Sequence, residues 1–114
     1  MPDWRELNQD CDLAHRDFTA SNARVFECYQ LEHAARDKAR AAGLQYQWVQ
    51  RHGLILTRDG RNAETEELDT QSVLHSAMAL RYKTQLQHVV RARIFHDAKA
   101  ACLSEGMMSE HGPG

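Results

Sequence analysis

Apolar residues recur at alternating intervals of three and four from Trp4 to Ala42, without a frame change. The seam reads Trp4, Leu7, Cys11, Ala14, Phe18, Ser21, Val25, Cys28, Glu32, Ala35, Ala39 and Ala42, so ten of its twelve positions are apolar. Overall composition alone would supply about five, and the spacing is that of a helix built to pack against other helices. Asp3 with Glu6 three residues later forms a capping box at the start, and Gly43 stands where a left-handed C-cap belongs. Acidic Glu6, Asp10 and Asp12 precede basic Lys38 and Arg40, as the helix dipole prefers. These signals predict a first helix over about residues 4–42. A break at Thr19-Ala20-Ser21-Asn22 is the competing expectation, because these are weak helix formers and Ser21 or Asn22 can cap a new helix.

After Gly43 the pattern alternates, with Leu44, Tyr46 and Trp48 on one face and Gln45, Gln47 and Val49 on the other. Arg51-His52-Gly53 suits a turn, and Leu54-Ile55-Leu56-Thr57 is a short apolar, β-rich run. A β-hairpin over about 44–58 is the reading. A lone hairpin is marginal in water, so its aromatic face closes the core or binds a partner through Tyr46, Trp48 and Ile55. A second helix is predicted over about 62–105, capped by Asn62 or Asp69 and stopped at Gly106. Val73, Ala77, Leu80, Ile94, Phe95, Ala98 and Cys102 line one side of it, and Leu74, Met78, Leu86, Val89, Ala100 and Leu103 lie nearly opposite. A helix apolar on two sides needs cover on two sides. The first helix supplies one cover and another copy of the chain the other.

The expected architecture is therefore mainly α. A long helix, a short β-hairpin and a long helix make an antiparallel helical hairpin, which assembles into an oligomeric helical bundle. One domain covers 1–106, with a flexible tail at 107–114. The interface between copies is read as Trp4, Leu7, Phe18, Val25, Met78, Leu86 and Val89. Helix, hairpin, helix resembles the outline of a small prefoldin subunit; the likeness is architectural, and it implies neither an activity nor site residues.

Composition narrows the function. The chain has 114 residues, 42% apolar and 26% charged, which suits one globular domain. No apolar run is long enough to cross a membrane. Three cysteines, Cys11, Cys28 and Cys102, make no disulfide framework, and Met-Pro-Asp-Trp-Arg lacks the apolar run of a signal peptide, so a reducing cytoplasm is expected. The net charge of −2 gives no general attraction to nucleic acid or anionic lipid.

Three constellations are candidates for chemistry. Cys11 and His15 share a helical face, and an antiparallel hairpin turning at about 43–61 brings His96 toward Cys11 and His88 toward His15. Thiolate and imidazole suit zinc, the one cofactor candidate in a chain otherwise expected to need none. Glu32 is the charged residue of the first seam. On the same alignment it falls near His75, and its expected purpose is to choose register rather than to catalyse. A basic run holds Arg81, Lys83, Arg91 and Arg93, a phosphate-binding pattern that forms no clean stripe and is not favoured. Gly-rich phosphate loops, paired metal-binding cysteines and nucleophile elbows are absent from the sequence. The expectation is a non-enzymatic, self-associating protein that binds another macromolecule, foremost a protein. A metal-dependent sensor or enzyme using Cys11, His15 and His96, and a small nucleic-acid-binding regulator, are the alternatives.

Overall fold

The computed structural model describes the backbone of residues 4–111 and the side chains through residue 105. Two long helices pack as a hairpin, α1 over Trp4–Arg51 and α2 over Arg58–His111. The proposed Asp3 cap lies outside the described residues. α2 extends through His111, so residues 107–111 of the expected tail are helical. Among the described residues no helix is long and apolar enough to cross a membrane.

The 3-4 seam of α1 is the face that becomes covered. Ala14, Ser21, Cys28, Glu32, Ala35, Ala39 and Ala42 are buried, with Leu7, Cys11, Phe18 and Val25 half-buried between them. The helix does not break at Thr19–Asn22. Thr19 Oγ1 donates to the His15 carbonyl at 2.9 Å, and Ser21 Oγ reaches the Phe18 carbonyl at 3.0 Å. Both hydroxyls are therefore turned back onto the preceding helical turn instead of capping a new one.

The β-hairpin expected over 44–58 is not formed, and no strand occurs among the described residues. The same 3-4 frame runs on beyond Gly43 to Tyr46 and Val49, and Val49 is 1% exposed, the most deeply buried large side chain. The alternation of Leu44, Tyr46 and Trp48 overlaps that frame only at Tyr46. Burying Val49 on a continuing helix outweighs the roughly 1 kcal/mol that a mid-helix glycine costs.

Gly53, not Gly43, ends the helix. It has φ of +68°, and the bonds from Leu54 N to Val49 O (3.0 Å) and from Gly53 N to Gln50 O (3.2 Å) complete a Schellman cap. Four residues on, Thr57 starts α2. Its hydroxyl accepts from Gly60 N at 3.1 Å, and its carbonyl accepts from Arg61 N at 3.0 Å. Thr57 thus takes the capping role expected of Asn62 or Asp69. Gly60 is buried so close to the Leu54 and Ile55 carbonyls that a Cβ there would collide with backbone. The tight connection requires its hydrogen.

α2 has a 3-4 frame of its own, read from coverage rather than hydrophobicity. Its buried and half-buried positions include Gly60, Ala63, Glu67, Thr70, Leu74, Ala77, Arg81, Thr84, His88, Phe95, Ala98 and Cys102. Five of these, Glu67, Thr70, Arg81, Thr84 and His88, are polar or charged, whereas Leu68, Val73, Leu80, Leu86, Val89 and Ile94 are exposed. Contacts cluster into two compact units along the hairpin. One is Phe26–Lys83 and contains the turn; the other joins Met1–Val25 to Thr84–Gly114.

Candidate functional site

In the turn-containing unit, the α1 seam carries the charged Glu32, and the α2 frame carries the charged Glu67 and Arg81. Glu32 is buried, and its Oε2 lies 2.6 Å from Arg81 Nε, while Arg36 Nη2 approaches Oε1 at 3.5 Å. The Arg81 guanidinium also lies 5.1 Å from the centre of the Tyr29 ring. Hydrogen bonding to Glu32, followed by its charge and by Tyr29, raises the Arg81 pKa above the ordinary arginine value against the opposing effect of desolvation. Arg81 is thus a permanent cation held by an acid. This arrangement joins the helices at one place.

In the other unit the polar layer sets a serine against a histidine. Ser21 Oγ and His88 Nδ1 are 2.6 Å apart, and the imidazole lies 5.1 Å from the Phe18 ring. Ser21 has one proton and two acceptors within reach, the Phe18 carbonyl and Nδ1. When the carbonyl takes it, His88 must donate through Nδ1, which sets the tautomer. Phe95 packs against Phe18 at 5.3 Å and against His15 at 5.1 Å. Serine and histidine in contact are one part of a nucleophilic site, but Ser21 is buried within a regular helix.

The residues singled out from sequence are dispersed by this geometry. His15 and His96 flank the Phe95 ring, the latter at 5.9 Å, and among the described residues no group of three or more His, Cys, Asp or Glu side chains is arranged to hold a metal. Cys11 is half-buried on the α1 seam. Arg81 faces inward to Glu32, Arg91 lies 3.7 Å from Asp17, and Arg93 lies 3.9 Å from Asp97. Lys83 is exposed. The four basic residues thus share no common stripe. Tyr46 is half-buried, Trp48 stacks on His52 at 3.9 Å while remaining 48% exposed, and Ile55 lies in the connection between helices.

Leu7, Phe18 and Val25 lie half-buried on the covered seam of α1. Met78, Leu86 and Val89 stay exposed, as does Trp4. The pairing of Glu32 with Arg81 rather than His75 follows from the longer α1. With the connection at residues 52–57 rather than spread over about 43–61, its midpoint lies two to three residues later, which carries every α1 residue about five positions further along α2. The cue was present in the 3-4 frame continuing through Tyr46 and Val49, followed by a glycine and a capping threonine. Comparison with known protein families, curated proteins and solved structures finds no match.

Proposed function

We propose that the protein is a non-enzymatic helical module, an antiparallel coiled-coil hairpin that self-associates and holds another protein on the apolar surface its own helices leave uncovered. The carrying observation is the inversion on α2: Thr70, Arg81, Thr84 and His88 face α1 while leucines and valines face outward. Exposed apolar residues scattered singly are ordinary, but a series of them along one helix marks an interaction surface. Burying part of that surface between copies converts the marginal core of a two-helix hairpin into that of a bundle.

Trp48 and Ile55, with Leu56 at 86% exposed, form an apolar end at the turn that is available to a protein partner. Light scattering at micromolar concentration tests the assembly. A mass of at least two chains is expected; a clean monomer overturns it.

A further inference from the structure

We infer that the stripe of α2 from Asp69 to Lys83 pairs with the same stripe of a second copy, antiparallel, about a twofold axis at Ser76. The inference rests on the self-association proposed above and assigns it a face and an orientation. Asp69, Val73, Ser76, Leu80 and Lys83 follow one another at intervals of four and three, so they lie along one side of the helix. All five are exposed, Val73 at 58% and Leu80 at 49%. Beside them runs an apolar groove of about 280 Å³, floored by the small residues Cys28, Ala35 and Ala77 and rimmed by Leu31, Val73 and Leu80. The groove lies wholly within the turn-containing unit.

Charge complementarity identifies the occupant. Asp69 stands two heptads from Lys83 with Ser76 midway, and the two ends carry opposite charges. A twofold axis at Ser76 reverses one copy against the other, so each Asp69 meets Lys83 of its mate and each Val73 comes within one residue of Leu80 of its mate. A parallel, in-register pairing would instead set Asp69 against Asp69 and Lys83 against Lys83. The small Ser76 side chain at the axis lets the helices approach closely. Apolar contact along Val73, Leu80 and Leu31 supplies the affinity, while the charged pairs at the rim choose the orientation.

Charge reversal tests this on the full chain by sedimentation or light scattering, with circular dichroism confirming helicity. Asp69 and Lys83 are exposed, so the variants leave the hairpin folded. Asp69→Lys alone and Lys83→Asp alone each weaken self-association about tenfold or more at low salt, because each creates two like-charge contacts per dimer. The D69K/K83D double variant restores it, since reversing both ends recreates the complementary pairs. Leu80→Glu weakens association whatever the charges at the rim. If the wild type assembles but the single reversals do not weaken it, or the double variant does not recover, this face is overturned and self-association stands through another surface. If the wild type is monomeric, both readings fall, and the groove is left to a different protein.

Discussion

Glu32 of α1 and Arg81 of α2 meet at 2.6 Å in seam positions that a simple helical hairpin fills with apolar side chains. Each is the residue least suited to its position alone. Arg81→Met should therefore lower the urea midpoint, because it leaves a buried carboxylate with only the longer, exposed Arg36 contact at 3.5 Å, and Glu32→Leu should lower it too. The E32L/R81M double variant should recover most of the loss, since two apolar groups replace the pair without stranding a charge. Equal additivity of the two single effects would contradict this pairing.

The pH dependence of that pair has a definite sign. The Arg81 pKa is raised in the folded state, so its contribution is complete below the ordinary arginine range and is lost only as pH rises through the still higher folded value. Unfolding midpoints of wild type and R81M should keep the same separation from pH 7 to about pH 10. A gap that closes within that window would show that Arg81 does not act as a held cation.

At the turn, Thr57→Ala should cost about 1 kcal/mol through loss of the N-cap to Gly60 N. Gly60→Ala should cost more, since its Cβ must displace the Leu54 carbonyl that Thr57 also engages. Thermal unfolding of both variants checks the order.

Gly43→Ala should stabilise the protein. Gly43 lies in a regular stretch of α1 without positive φ, and an added Cβ would meet only Glu67 Oε1 at 3.7 Å, an ordinary contact. The expected gain is about 0.5–1 kcal/mol, read as a rise in the denaturation midpoint. A loss would mean that the chain does bend at this glycine.

Ser21→Ala removes the hydroxyl that His88 Nδ1 engages and should cost on the order of 1 kcal/mol. The S21A/H88L double variant should recover it or better, by closing the layer around Phe18 and Phe95 with apolar contact. Chemical denaturation of the three proteins decides whether this layer is a cost or a support.

The covered face of α1 could be read from sequence because hydrophobicity and packing agree there: the positions that repeat as Trp, Leu, Cys, Ala and Val are largely those that become covered. The end of the helix could not, since Gly43 carries a strong stop signal that a continuing seam at Tyr46 and Val49 overrides. α2 was harder to read because its signals conflict. Apart from Leu74 and Phe95, most of its large apolar residues are exposed, while Thr70, Arg81, Thr84 and His88 lie on the covered frame, so periodicity of hydrophobicity identifies the outer faces rather than the hairpin seam. Glu32 could be recognised as exceptional from sequence. Its partner could not, because the pairing depends on where the turn falls.

Gly53 and Thr57 complete their caps with backbone and side chains of the connection itself, so the reversal of direction needs nothing distant to hold it. Contacts then spread outward with growing separation along the chain, 67 positions for Ser21 with His88 and 94 for Asn8 with Cys102. Each outer pair closes a smaller effective loop once the inner pairs are made. The molecule should accordingly zip from its turn, and a defect at residues 52–60 should slow folding more than an equally destabilising defect near either terminus.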